Sequence, residues 1–142
     1  MELATTTKEK SRSRWFNPNP IHGQKKKHDV GDCVVRACCK ATGLEWDTVF
    51  KELCEIGMEL KAMPNDNITY TEYLKRHDFI KHTLTIKKGS KRPTVASFAK
   101  EHKTGTFFLR VANHVVACVE GLYYDTWDPG ECSLYTYWEK AE

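Results

Sequence analysis

The sequence predicts an α+β domain in which helices come first and an antiparallel sheet follows. Three observations lead there. Between residues 33 and 60 the apolar residues recur at helical spacing, and Trp46, Val49, Phe50, Leu53 and Cys54 fall at i, i+3, i+4, i+7 and i+8 on one face. From Thr106 onward the pattern changes to short runs rich in Val, Phe, Leu and Tyr, separated by turn dipeptides. The order is mainly helices first and strands after, which is that of an α+β domain.

The elements follow from local signals. Asn17-Pro18-Asn19-Pro20 reads as an extended, turn-rich lead-in, because each proline biases its predecessor away from helix. Asp32 is the expected N-cap of a helix running from Cys33 to about Thr42, closed by Gly43. A second helix is expected over 46–60. Thr69-x-x-Glu72 has the form of a capping box and is expected to open a short helix carrying Tyr73 and Leu74. Ile80, His82, Leu84 and Ile86 alternate as a strand does. Thr94 is the expected cap of a last helix with Val95, Phe98 and Ala99, stopped at Gly105. Strands are then expected over 106–111, 114–119, 122–127 and 134–138, with Glu120-Gly121 as a tight turn between two of them.

With 142 residues the chain has one domain's worth of sequence, long enough to bury roughly 68–70% of its unfolded surface without staples. A 40% hydrophobic and 29% charged composition excludes collagen-like, low-complexity and largely disordered chains. The apolar runs fall far short of the roughly 18 residues that a membrane span needs, so no membrane association is expected. Met1–Arg14 is polar and lacks a signal-peptide core, which implies a cytoplasmic protein. In that reducing setting the six cysteines need not pair.

Charge is uneven. Residues 1–40 carry nine Lys/Arg against four Asp/Glu, and residues 41–142 carry thirteen against fifteen. The basic excess lies in Lys8–Arg14 and Lys25–Lys27, in segments that read as tail or loop. No aromatic or Gly-rich pattern interleaves it, so a solvated tail over residues 1–14 is expected ahead of a single domain over 15–142, rather than a nucleic-acid arm.

Three features concern chemistry. Cys33 directly follows Asp32 at a helix start, where the helix dipole favours an anion and a thiolate's pKa is lowered. Cys38 and Cys39 lie inside the same helix and read as packing residues. His114 leads an otherwise apolar strand and needs a partner. If Glu120-Gly121 is a two-residue turn, Val119 pairs with Leu122, Val116 with Asp125, and His114 with Trp127. Asp125 then shares the face of His114 one diagonal step away, while Asp128 falls on the opposite parity and is the second choice. Trp127 stands opposite His114, as a wall of a site or as a core residue, and Tyr123 reads equally as cleft lining or packing.

Nucleophilic thiol chemistry requires these parts: a thiolate, a base that later serves as leaving-group acid, and an acceptor that fixes the base's tautomer. The sequence provides Cys33, His114 and Asp125 on a helix start and a hairpin. Two other classes compete. Cys33 and His114 are also compatible with the core of a non-catalytic interaction module. A zinc site drawing on His22, His28, Cys33, Cys38 and Cys39 lacks the Cys-x2–4-Cys or His-x3–5-His spacing of structural zinc sites.

A cysteine opening a helix, a His-initiated strand and a return strand ending in Asp125-Thr126-Trp127 together resemble the papain-like cysteine peptidases. Asp125-Thr126-Trp127 is similar to the Asn-Ser-Trp of the papain hairpin. Asp32-Cys33 with Ala37, His114-Val-Val and Asp128-Pro129-Gly130 also resemble the bacteriocin-processing peptidases of that fold. Asn17-Pro-Asn-Pro20, Gly31-Asp-Cys-Val-Val-Arg36, Trp46-Asp47 and Tyr124-Asp-Thr-Trp-Asp128 resemble a group of small uncharacterised phage and bacterial proteins, over most of the stretch from Trp15 to Trp138.

The resemblance implies a papain-like fold and cleavage of a peptide, isopeptide or related amide bond through a thioester, with a protein or peptide substrate and no cofactor. It also implies residence in the host-cell cytoplasm if the protein is phage-encoded. Papain-like enzymes carry a Gln about six residues before the nucleophile, where its amide helps to bind the oxyanion. Here that position is Lys27. Gln24 and Asn19 are the nearest candidate donors, and the Cys33 backbone N–H is a further one.

Overall fold

The computed structural model describes residues 10–23 and 30–142. Among the described residues the fold comprises four helices and a six-stranded mixed sheet. The helices are α1 (Cys33–Thr42), α2 (Trp46–Leu60), α3 (Asn67–Arg76) and α4 (Val95–Glu101). The strands are β1 (Ser13–Trp15), β2 (Phe79–Thr83), β3 (Thr106–Val111), β4 (His114–Val119), β5 (Leu122–Asp125) and β6 (Thr136–Lys140), ordered β1-β5-β4-β3-β6-β2 across the sheet.

Alternation along the strands divides the core in two. Phe108, Val115, Ala117 and Trp138 pack beneath α1, α2 and α3 with Val35, Cys38, Leu53 and Tyr73. Their immediate strand neighbours Phe107, Leu109, Val116, Cys118 and Tyr137 face the other way and pack with Val95, Phe98 and Ala99 of α4. The sheet is therefore covered on both sides, and the His114–Val119 run is apolar because both of its faces are buried.

Helix α1 ends as its sequence requires. Gly43 takes φ 77° and returns its N–H to the Cys39 carbonyl. Glu120 and Gly121 both have positive φ, 52° and 78°, the backbone of a two-residue hairpin turn whose twist matches its strands. That turn sets Val119 opposite Leu122, Cys118 opposite Tyr123 and Ala117 opposite Tyr124.

Several expectations are corrected. The sheet is mixed rather than antiparallel, because β1 runs parallel to β5. Ser13 and Arg14 thus belong to the sheet edge rather than to a tail, and the Arg12 carbonyl accepts from Tyr123 N at 3.0 Å. Residues 1–9 of the expected tail lie outside the described residues.

The capping box at Thr69–Glu72 does not form. Asp66 caps α3 by accepting from Ile68 N, and Thr69 is buried one turn inside with its hydroxyl on the Met63 carbonyl. At α4 the expected cap is present, with Thr94 and Ser97 bonding reciprocally. Strand β2 ends at Thr83, short of Ile86, and β5 ends at Asp125, short of Trp127. Strand β6 begins at Thr136 rather than Leu134, which is instead fully buried in the approach to it.

Candidate active site

Helix α1 delivers Cys33, and the β4–β5 hairpin delivers His114 and Asp125. The β4–β5 ladder stops at Ala117–Tyr124, and continuing its register places Asp125 across from Val116 on the His114 side. There His114 Nε2 meets Asp125 Oδ2 at 2.5 Å, with both side chains largely removed from solvent. With Nε2 committed to the carboxylate, Nδ1 is the ring nitrogen left for the thiol.

The electrostatics of the pair are complementary. Burial by itself would push the Cys33 thiol up, but the hydrogen bond and charge of His114, the Val115 backbone N–H and the Arg36 charge outweigh it and hold the thiol below its ordinary pKa. Burial would likewise push His114 down, yet its bonds to Asp125 and Cys33 raise it to about 9. Each group thus favours the charged form of the other, a thiolate beside an imidazolium.

Four of the other cysteines move the opposite way. Burial raises Cys38, Cys39, Cys118 and Cys132, with Cys39 and Cys118 pushed up to about 12. All six thiols are free.

Asp125 is held from three sides. Besides His114, it accepts from Arg36 Nη2 at 3.0 Å and from Thr126 N at 2.8 Å. Arg36 Nη1 reaches Asp32 Oδ1 at 2.9 Å, and Asp32 Oδ2 accepts from Trp46 Nε1 at 2.9 Å and from Asn19 Nδ2 at 3.3 Å. A buried chain of charge-assisted bonds therefore runs from Asp32 through Arg36 to the acceptor of the histidine.

Asp32 is accordingly not the capping side chain expected of it. It occupies the N-cap position, but its carboxylate is turned to Arg36, Trp46 and Asn19 and makes no cap bond. Among the described residues nothing accepts the N–H groups of Cys33 and Val34. These donors stay directed at the site, with the positive end of the helix dipole behind them.

Of the two oxyanion candidates, Asn19 is engaged by other groups. Asn19 has given its amide nitrogen to Asp32, while its Oδ1 accepts from Ile21 N and His22 N. It lines the neighbouring cavity rather than the one that holds Cys33 and His114. Gln24 lies outside the described residues. Asp128, the second choice as orienting group, bonds Gly130 N and Tyr123 instead of His114.

Trp127 is half exposed, and its ring lies 4.8 Å from that of His114 at 42°, so it walls the imidazole and is no core residue. Tyr123 is buried in the α4-side core. Among the described residues no group of three or more His, Cys, Asp or Glu is placed to hold a metal ion. No described helix is long and apolar enough to cross a membrane.

Beside the thiol opens a cleft of about 550 Å³ bounded by Cys33, Asn65, Tyr70, Arg110, the Ala112–Asn113 turn and His114. Sequence reasoning missed Arg36 and Arg110. Both carried a signal: Arg36 is a single charge within the apolar stretch Cys33–Cys39, four residues after Asp32, and Arg110 is a single charge within the apolar strand Phe107–Val111.

Replacing Asp125 with Asn keeps the shape of the acceptor and removes its charge. The His114 titration midpoint, followed by ring-proton NMR, is expected to fall clearly below 9, because Asp125 contributes both a hydrogen bond and a charge that raise it. An unchanged midpoint would show that Asp125 does not hold the imidazolium.

Comparison of the chain with family models, with curated proteins and with solved structures returns no match.

Proposed function

We propose that this chain is a papain-like thiol hydrolase that cleaves a peptide, isopeptide or related amide bond. Cys33 is the nucleophile, His114 the general base and acid, and Asp125 the group that orients the imidazole. The observation that carries the reading is the hydrogen-bonded order Cys33–His114–Asp125, in which one of six thiols is lowered while burial raises four others. Support for the papain-like assignment comes from a thiol at a helix start paired with a histidine at a strand start, beside a cleft of about 550 Å³.

The chemistry follows from the charge state. The Cys33 thiolate attacks the substrate carbonyl, and the oxygen that gains the negative charge meets the Cys33 N–H at the end of α1. Protonated His114 gives its proton to the leaving amine, and a thioester remains on Cys33. The imidazole, now neutral, takes a proton from water as the water attacks the thioester. Collapse of that second adduct breaks the carbon–sulfur bond and releases the acid and the Cys33 thiolate, and with the water's proton already on the imidazole the ion pair is restored. Asp125 keeps Nε2–H in place throughout and stabilises the imidazolium. No step needs a metal or an organic cofactor.

The test is acyl transfer from p-nitrophenyl acetate at pH 7, followed by peptide mass spectrometry. Acetyl is expected on Cys33 alone, turning over to acetate, with steady release of nitrophenol that disappears in Cys33→Ala. Acetylation spread over several cysteines, or an acetyl on Cys33 that never hydrolyses, overturns the hydrolase reading in favour of a binding module.

A further inference from the structure

Arg110 stands in the cleft with its charge uncommitted. It lies on β3 directly across from Val115, the residue whose N–H supports the Cys33 thiolate. Adjacent strands are separated by about 4.8 Å, so the guanidinium is rooted one strand away from the nucleophile. Alternation sends its side chain to the α1–α3 side with Phe108, where it bonds the Tyr70 hydroxyl. It is partly buried, yet among the described residues it forms no ion pair. A half-desolvated cation held by one neutral hydroxyl lacks the partner that would offset its lost hydration.

The rest of the cleft suits the same ligand. No Asp or Glu is among the residues that bound it. Asn65 and Asn67 line it as neutral amides, and the Asn67 oxygen is turned to Thr71, which leaves the Asn67 nitrogen as a donor. Tyr135, also at the rim, is backed by Arg92 at 4.5 Å. An arginine fork matches a carboxylate bidentately, and the flanking amides supply further donors.

We propose that the cleft binds a substrate carboxylate on Arg110, from an acidic side chain or from a free C-terminus close to the bond cleaved at Cys33. This deepens the thiol-hydrolase reading and rests on it. A bidentate charged contact of this kind is worth about tenfold in binding.

The test uses alkylation of Cys33 by iodoacetamide, read by peptide mass spectrometry, with two pairs of competing peptides. The first pair, blocked at both ends, differs only in Glu against Gln. The second differs only in a free C-terminal carboxylate against its amide and has no acidic side chain. In the wild-type protein the carboxylate member of at least one pair is expected to protect Cys33 about tenfold better than its neutral twin.

Protection by the Glu peptide alone assigns an acidic side chain, and protection by the free acid alone assigns a chain terminus. Protection by both means that the carboxylate suffices. Equal protection within both pairs overturns the proposal, and needs no variant that must fold. Arg110→Gln is expected to abolish the preference and to lower the ratio of iodoacetate to iodoacetamide rates about tenfold. A preference that survives this substitution also overturns it. Failure of the underlying reading looks different, because Cys33 would then react with iodoacetamide no faster than a free thiol.

Discussion

His114→Ala is expected to slow alkylation of Cys33 at pH 6.5 by roughly tenfold while the other five cysteines keep their rates. The size follows from two opposing effects. An ordinary thiol with a pKa near 8.5 is only about 1% ionised at pH 6.5, so losing the imidazolium lowers the thiolate fraction toward that level. The thiolate that remains is the more basic one and intrinsically the better nucleophile, which returns part of the rate. Burial of Cys33 is then opposed only by the Val115 N–H and the Arg36 charge, so its pKa moves upward in the variant. The measurement is site-resolved alkylation from pH 5 to 10. A Cys33 profile that ignores His114 would mean that no ion pair is assembled, and the catalytic reading would fall with it.

Arg36→Met is expected to destabilise the fold by about 3–5 kcal/mol, the usual cost of removing one partner from a buried ion pair. The guanidinium is the only cation bonded to Asp32 among the described residues and shares Asp125 with His114, and the Arg36, Asp32 and Asp125 side chains are almost fully buried. Removing it leaves two carboxylates facing each other with only neutral or histidine donors. Urea denaturation of both proteins at pH 7 measures the difference. Adding Asp32→Asn to Arg36→Met is expected to recover part of the loss, since one stranded charge is then gone. A single variant within 1 kcal/mol of wild type would mean that water reaches the network and that Arg36 does not hold Asp125.

The Arg36 network also explains why a helix residue three positions after the nucleophile matters to the histidine's partner. Asp125 must accept from Nε2 in one orientation, and Arg36 occupies its other oxygen. The same guanidinium lowers the Cys33 thiol through space. Loss of Arg36 therefore acts on stability and on the site together, whereas loss of His114 acts on the site.

Features governed by local rules were legible from the residues alone. The bounds of α1 and α2 follow from helical periodicity and from the left-handed Gly43. The hairpin register follows from a two-residue turn at Glu120-Gly121, and it brings Asp125 rather than Asp128 to His114. A period-2 ladder transmits one turn's geometry along both strands, so this part of the site needed no tertiary information.

What failed was decided by partners distant in sequence. Asp32 satisfies the local rule for an N-cap, but an arginine, an indole and an amide compete for its carboxylate and win. Thr69 lost its capping role to Asp66, because the chain enters α3 earlier and buries the threonine. The strand at Ser13–Trp15 has no periodicity of its own and exists because β5 offers a free edge.

The oxyanion candidates Gln24 and Asn19 are only the nearest amides to the position that Lys27 occupies, and Asn19 is drawn off to Asp32. Arg110 drew no attention as one charge in an apolar strand, and only the packing of α3 against β3 puts Tyr70 beside it and a cleft in front. Short-range order in this chain comes from backbone sterics and turn chemistry, which act over a few residues. The fate of each buried charge depends on which opposite charge the folded chain brings within 3 Å, and no local pattern encodes that.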